Sequence, residues 1–368
     1  MTSPRTSIVF GTFKGMGDLL CAAPVILSEL RKDKSVHLLL FPSPTLHDFC
    51  NLIDFSPHQN NLHLHSIPDS GGLAEWKQFL TEMRRITPEM VWISPHAPAA
   101  DSSWKIPLVL RTIQSLIWRD ARLVGADTER LSLLFHRRLP VDRQLSLQQR
   151  EWNAYRLFYG EALSERPPKI SFIPEISARR KESPLYDLVI HPGANAKNRK
   201  WPLDKYGILV SNLPRSWRIA LLGLPDDLAI VKKTMPLDRP VSYITGTILE
   251  SIQTLASAST LFIMDSGNMH FAQVLEIPSI AVFGYTNPAD IIDLRGYVEA
   301  IYEKRFPCQP CRKAVCSQPE IYCLNGVDPA LVAEKLKAQW NRLHGHAHHG
   351  ENLVKLSNNP RTYQIKPC

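Results

Sequence analysis

Residues 261–284 read Leu-Phe-Ile-Met-Asp-Ser-Gly-Asn-Met-His-Phe-Ala-Gln-Val-Leu-Glu-Ile-Pro-Ser-Ile-Ala-Val-Phe-Gly. An apolar strand runs into Asp265-Ser266-Gly267, a short helix is expected from about Asn268 to Leu275, and Pro278 resets the chain into a second buried strand. This is a βαβ unit whose helix opens with small residues at a strand end. Free backbone N–H groups at such a helix start, together with the helix dipole, favour a phosphate, and a glycine lets the backbone come close to it. The stretch therefore points to a phosphorylated ligand, with Asp265 and His270 beside it.

The alternation of strand and helix runs along the chain and implies a parallel sheet. Strand Ser7–Phe10 enters Gly11-Thr12-Phe13-Lys14-Gly15-Met16-Gly17, and a helix follows with Leu19, Leu20, Ala23, Ile26, Leu27 and Leu30 on one face. Pro24 lies inside that helix and is expected to kink it or delay its start. Strands at Val36–Phe41, Met90–Ile93 and Ala121–Gly125 and a helix at Leu108–Trp118 complete a first half.

Residues 165–184 hold four prolines and the basic run Arg179-Arg180-Lys181, the best linker signal. The alternation then restarts, with strands at Leu188–Ile190, Arg218–Leu222 and Val241–Ile244. Helices are expected at Asp204–Leu213, Asp226–Lys233 and Leu249–Ala256, with Gly207 a mild liability in the first. The organisation is a first α/β domain over 1–165, a linker over 166–186, a second α/β domain over 187–328, a helix over 329–343 and a polar, His-rich disordered tail over 344–368. A chain of 368 residues accommodates two such cores.

Three constellations carry chemistry. In Lys14-Gly15-Met16-Gly17-Asp18, Asp18 is either an N-cap or a general base facing the cleft between the domains. The loop lacks the third glycine of a dinucleotide fingerprint. In His191-Pro192-Gly193-Ala194-Asn195-Ala196-Lys197-Asn198-Arg199-Lys200-Trp201-Pro202, three cations in four residues follow a strand end, where α/β sheets bind ligands. They are phosphate binders or a solvated basic turn, and Trp201 reads as packing. In the Asp265–His270 loop, His270 is structural or a diphosphate ligand, and Asp265 a site residue or a helix cap.

Taken together these segments resemble the family-9 glycosyltransferases, the heptosyltransferases of lipopolysaccharide core assembly. The matching pieces are Gly17-Asp18 with Pro24 and Leu30-Arg31, His191-Pro192-Gly193 with Lys200-Trp201-Pro202, and Asp265-Ser266-Gly267 with His270 and then Phe283-Gly284-Tyr285-Thr286-Asn287-Pro288. The resemblance spans about residues 7–340. It implies a GT-B fold, two Rossmann-like domains with parallel sheets facing an interdomain cleft, the second domain holding the nucleotide sugar. It also implies an inverting transfer from ADP-heptose to a sugar hydroxyl. By that analogy Asp18 deprotonates the acceptor, and Lys200 with the N–H groups around Ser266 and Gly267 stabilises the leaving diphosphate. Lys197, Asp265 and His270 complete the donor site. Asp227 falls where the family often has a Glu contacting the ribose, a surface helix start being the other reading. Ser266 replaces a usual Thr and keeps its hydroxyl. No Asp-x-Asp pair sits at a strand end, so no catalytic divalent ion is expected.

Seven cysteines are present, and Cys308, Cys311, Cys316 and Cys323 form C-x2-C-x4-C-x6-C. Four clustered thiolates close a tetrahedral site for structural zinc or iron; disulfides or free thiols are the alternative. The resemblance extends here, since many members carry a comparable cysteine-rich segment. Cys21 and Cys50 read as buried thiols, and His344, His346, His348 and His349 as part of a flexible tail.

The formal net charge of +8 suits an anionic partner. An anionic glycolipid acceptor at the inner face of the inner membrane fits it, as do other glycan or protein acceptors. No apolar run approaches the ~20 residues needed to span a bilayer, and no signal-peptide layout opens the chain, so a cytoplasmic protein is expected. Rival readings are the same fold with another nucleotide sugar, and a non-catalytic nucleotide- or nucleic-acid-binding protein. Dispersed basic residues and few aromatics in the cysteine segment speak against nucleic acid.

Overall fold

A computed structural model describes residues 6–344 apart from 69–71, 95–104, 128–131, 164–165, 237, 294 and 314. The tail 345–368, with His346, His348, His349 and Cys368, and most of the loop 94–105 lie outside the described residues.

The chain forms two units, one comprising residues 1–173 with 289–291 and the other 174–288 with 292–368. Strands of the first are β1 (Ser7–Phe13), β2 (Ser35–Leu40), β3 (Leu62–Ser66), β4 (Pro88–Ile93), β5 (Arg122–Ala126) and β6 (Arg137–Leu139). Strands of the second are β7 (Tyr186–His191), β8 (Ile219–Leu222), β9 (Ser242–Ile244), β10 (Ala258–Met264), β11 (Ser279–Val282) and β12 (Val298–Ile301). The orders are β3-β2-β1-β4-β5-β6 and β12-β11-β10-β7-β8-β9, all pairs parallel. Each is the Rossmann order, which reverses between the first and fourth strand of its sheet. Ligands bind outside the carboxyl ends of strands at such a reversal.

Helices are α1 (Met16–Arg31), α2 (Pro44–Cys50), α3 (Leu73–Met83), α4 (Lys105–Leu116), α5 (Leu147–Phe158), α6 (Pro174–Lys181), α7 (Lys205–Ser211), α8 (Pro225–Lys232), α9 (Ile248–Ala256), α10 (Gly267–Val274), α11 (Pro288–Ile291), α12 (Tyr322–Asn325) and α13 (Pro329–His344). The central strands β1 and β10 are buried on both faces and therefore read as continuous apolar runs.

Pro24 does not end α1, which runs unbroken from Met16 to Arg31. A proline at that position leaves the carbonyl four residues back without its helical donor. Here that carbonyl belongs to Leu20, and the Gln148 side chain of α5 donates to it at 3.4 Å. The proline ring itself is buried among the core residues of the helix.

Gly207 is not a liability. A Cβ built on it would lie 1.8 Å from the Thr234 carbonyl oxygen, so the bare α-carbon is what lets α7 pack against that backbone. Trp201 is fully buried, packs edge-on against Tyr206 and Phe262 and donates from Nε1 to the Val327 carbonyl at 3.3 Å. The stretch 51–72, which has no clear strand pattern in sequence, contains β3 pairing with β2 at the edge of the first sheet.

Candidate active site

In the second unit, β7 and β10 are neighbours, with His191 opposite Ile263. Their carboxyl ends deliver His191 and, two residues beyond its partner Ile263, Asp265 at the strand-order reversal. The segment after β7 passes through Gly193, where an added Cβ would come 3.0 Å from His191 Cε1. That glycine leaves room for the imidazole. Burial lowers the His191 pKa to about 4, against the opposing pull of Asp227, and keeps the ring neutral. Its Nδ1 is buried and makes no well-formed hydrogen bond, although backbone groups of His191 and Gly193 lie near the ring.

A short 3-10 turn, Lys197–Arg199, then sorts the three cations. Lys197 points to solvent. Arg199 lies over the Tyr285 ring, 4.3 Å from its centroid, with Nε 3.8 Å from Asp265 Oδ2, too far for a hydrogen bond. That buried Nε has no hydrogen-bond partner. Lys200 Nζ donates to both carboxylate oxygens of Asp227, at 2.8 and 2.7 Å. Between Arg199 and Lys197, the buried Asn198 donates to the Lys313 carbonyl at 2.7 Å.

Asp227 is a correction to the surface reading. It occupies the third position of α8, is buried, and holds Lys200. Asp265 is not a helix cap either. Ser266 is the N-cap of α10, and the Asp265 carboxylate is buried, accepts from the Thr286 hydroxyl at 2.5 Å and faces Arg199. Burial raises its pKa, while Arg199 and Thr286 oppose the rise. The Ser266 hydroxyl is buried and makes no hydrogen bond. Gly267 opens α10, and His270, partly exposed, lies one turn in.

Three polar atoms at neighbouring strand ends thus lack hydrogen-bond partners: His191 Nδ1, Arg199 Nε and Ser266 Oγ. Buried polar groups ordinarily find partners, so these three are candidates to meet a ligand. Asp18 lies in the first unit as the third residue of α1, whose N-cap is Gly15. Its Oδ2 would stand 3.4 Å from a Cβ on Gly15, so the carboxylate folds back over the glycine loop. Asp18 therefore starts a helix without being its N-cap. A cavity of about 660 Å³ in the same unit lies elsewhere, at the amino ends of the strands around Lys34, Glu89 and Arg122. It does not include the Asp18 loop.

The four cysteines of the later segment are half-buried free thiols. Burial raises the Cys323 pKa, and Cys311, Cys316 and Cys308 add to the rise, so these three stand near Cys323. Among the described residues no group of three or more His, Cys, Asp or Glu side chains is arranged to hold a metal ion.

Arg199 and Asn198 in these roles, and the Thr286 support of Asp265, were not assigned from the sequence. The signal available was only their place in the loops; the partners come from elsewhere in the chain, 21 residues away for Thr286–Asp265, 66 for Arg199–Asp265 and 115 for Asn198–Lys313.

Two Rossmann-ordered sheets with loops of this kind define a GT-B fold. The chain belongs to glycosyltransferase family 9, the heptosyltransferase family, whose model matches residues 126–322. It is 22% identical over 158 residues to lipooligosaccharide heptosyltransferase 2 of Campylobacter jejuni, which covers 41% of this chain and 50% of that protein. It is 30% identical over 100 residues to lipopolysaccharide heptosyltransferase 1 of Pseudomonas aeruginosa, which covers 23% and 28% respectively. The matched region thus spans half or less of these curated relatives. Among solved structures, ADP-heptose lps heptosyltransferase II of E. coli matches with a TM-score of 0.65 at 15% identity, covering 92% of this chain and 99% of that chain. E. coli heptosyltransferase WaaC with ADP-2-deoxy-2-fluoro heptose matches with a TM-score of 0.64 at 15% identity, covering 90% and 99%. No described helix is long and apolar enough to cross a membrane.

Proposed function

We propose that this protein is an inverting glycosyltransferase that moves a heptosyl group from ADP-heptose to a hydroxyl of a lipopolysaccharide-core or related acceptor. The observation that carries this reading is the set of unpartnered polar atoms at His191, Arg199 and Ser266, beside the Lys200–Asp227 pair. Family membership and relatives named as heptosyltransferases support the heptosyl donor, as does the ADP-2-deoxy-2-fluoro heptose in a structural neighbour.

In this mechanism the acceptor oxygen attacks the anomeric carbon while Asp18 takes its proton. The bond from that carbon to the diphosphate oxygen breaks on the opposite face, and ADP leaves with the electron pair. Lys200 and the backbone N–H groups of Ser266 and Gly267 stabilise the charge that develops on the diphosphate. His270 lines the donor site, Lys197 reaches toward it from its exposed rim, and Asp227 contributes through Lys200. Asp265 acts from behind the wall, holding Arg199 and Thr286 in place. Catalysis in this scheme needs no divalent ion.

The four cysteines, Cys308, Cys311, Cys316 and Cys323, hold a structural zinc or iron in this reading. Their donor set suits either metal, and the nearness of Cys308, Cys311 and Cys316 to Cys323 supports it. One structural neighbour is a dodecameric iron-containing heptosyltransferase, TibC of E. coli, with a TM-score of 0.52 at 14% identity. Such a metal would supply folding energy to the segment. The net charge of +8 favours an anionic glycolipid acceptor and peripheral contact with the inner face of a membrane, in the cytoplasm.

The test is transfer by purified protein from ADP-heptose to a panel of lipopolysaccharide-core acceptors, followed by mass spectrometry. Transfer from UDP- or GDP-sugars with none from ADP-heptose would overturn the heptosyl assignment. Asp18→Ala should abolish transfer and leave ADP binding nearly intact; retained turnover would remove Asp18 as the base. Metal analysis of wild type and Cys308→Ser, expected to differ by one ion per chain, tests the cysteine site.

A further inference from the structure

Away from this chemistry, the edge of the first sheet carries a group of imidazoles. His37 of β2 lies opposite His63 of β3, and Leu39 opposite His65, so all four side chains face the same side of the sheet. That is the side on which Leu39 packs with Phe79 and Met83 of α3. His37 is buried, His65 is partly buried and His63 is exposed. The His37 and His63 rings stack at 4.7 Å, and the His37 and His65 rings at 5.2 Å.

The nitrogens are arranged in an ordered way. His37 Nδ1 and His65 Nε2 point at each other across 3.0 Å. On the outer sides, His37 Nε2 lies 3.3 Å from the Ser35 hydroxyl, and His65 Nδ1 lies 4.0 Å from the Glu82 carboxylate of α3, near it but too far for a hydrogen bond. Metal-binding imidazoles are held with one nitrogen inward and the opposite N–H toward a carboxylate or hydroxyl; here Ser35 and Glu82 stand on the outward sides, and a shift of the His37 proton and a small approach of Glu82 complete that arrangement. We propose that His37 and His65 form a binding site for one late divalent transition-metal ion, with Glu82 and Ser35 as the groups that orient them.

Two nitrogens sharing a tetrahedral ion at ~2.0–2.1 Å stand about 3.4 Å apart. A separation of 3.0 Å therefore needs to widen by only a few tenths of an ångström. With the proton of each ring assigned to Nδ1 in the metal-free protein, His37 donates to His65 Nε2, the Ser35 hydroxyl donates to His37 Nε2, and the His65 N–H lies on the side of Glu82. When metal binds, the His37 proton moves from Nδ1 to Nε2, where the Ser35 oxygen accepts it. The ion takes both inward lone pairs, and no proton is released. Both rings are in the neutral form that ligation requires: burial lowers the His37 pKa to about 3, with His63 and His65 adding to the effect, and burial also lowers that of His65, against Glu82. His47, which bonds Ser66 through Nε2 at 2.8 Å, stands on the neighbouring α2 and also disfavours a charged His65.

The experiment is equilibrium dialysis of the full chain against Ni²⁺ near neutral pH, in a background carrying His346→Ala, His348→Ala and His349→Ala so that the tail does not contribute. Adding His65→Gln should lower the bound nickel by one ion per chain, while any nickel on the cysteines is common to both proteins and cancels. Glu82→Gln should keep the stoichiometry and weaken affinity roughly ten-fold. As a check independent of variant folding, diethyl pyrocarbonate labelling of the unsubstituted chain, mapped by mass spectrometry, should fall at His65 when Ni²⁺ is present. Equal stoichiometry with and without His65→Gln, or labelling of His65 unchanged by nickel, would overturn the site. An unaltered affinity in Glu82→Gln would remove its orienting role.

Discussion

Lys200 Nζ grips both oxygens of the Asp227 carboxylate, at 2.8 and 2.7 Å, although the two residues lie 27 positions apart and on different elements. The lysine is thus held at the carboxyl end of the second sheet before any ligand arrives. A preset cation loses less conformational entropy on meeting a diphosphate, but the ligand must also compete with Asp227 for it.

This relationship makes the two partners unequal under mutation. Lys200→Ala leaves a buried carboxylate without its cation, which should cost stability as well as donor use, on the order of 1–3 kcal/mol. Asp227→Asn keeps the shape of the pair and removes its charge, so it should cost less stability than Lys200→Ala. Urea unfolding of the two variants, with donor KM measured alongside, checks the ordering. Equal and small losses in both would mean that the pair has no structural role.

Gly207 should tolerate no side chain. Gly207→Ala places a methyl 1.8 Å from the Thr234 carbonyl oxygen, which requires backbone movement between α7 and the end of α8. A loss of roughly 3 kcal/mol or more is expected, the class of effect seen when a packed backbone is forced apart. Helix propensity alone predicts the opposite sign, a gain of about 1 kcal/mol. Thermal melting of Gly207→Ala therefore separates the two accounts by direction.

The Gln148 amide should matter only because of Pro24. Gln148→Ala removes the donor to the Leu20 carbonyl, at a cost of about 1 kcal/mol. In a Pro24→Ala background, the helix supplies its own N–H and the same change should cost little. A double-mutant cycle by denaturant unfolding measures the coupling, and additive effects would show that the 3.4 Å contact contributes nothing.

Stability should decline in acid partly through His37. Burial, reinforced by His63 and His65, lowers its pKa from 6.5 to about 3, so the unfolded chain takes up this proton first. The contribution is complete above pH 6.5 and is lost progressively as pH falls from there toward about 3. His191, lowered to about 4 by burial, adds a loss of the same sign in the second unit. Melting temperatures between pH 7.5 and 4.5 should fall more steeply for wild type than for His37→Gln. Parallel curves would count against this source of acid sensitivity.

Much of the fold was legible because both sheets are parallel and their central strands are buried on both faces. Such strands appear as unbroken apolar runs, and the helices between them as 3.6-residue patterns. β3 escaped because an edge strand reading Leu-His-Leu-His-Ser carries only two apolar residues. The candidate site was legible in part for a related reason: Ser266 and Gly267 act through local backbone at a helix start, and that geometry is encoded within a few residues.

What the sequence by itself determined was the alternation of elements, the position of the phosphate-type loop after β10 and the family motifs that frame it. Tertiary structure alone decided which side chains meet. It placed Lys200 on Asp227, Arg199 on Tyr285 and Asp265, and Gln148 under the carbonyl orphaned by Pro24. It also turned Gly207 from a weak point into a requirement. The physical reason is range. Periodicity and capping act between residues three or four apart, whereas hydrogen bonds, ion pairs and steric contacts depend on separations in space that only the packed sheets and helices define.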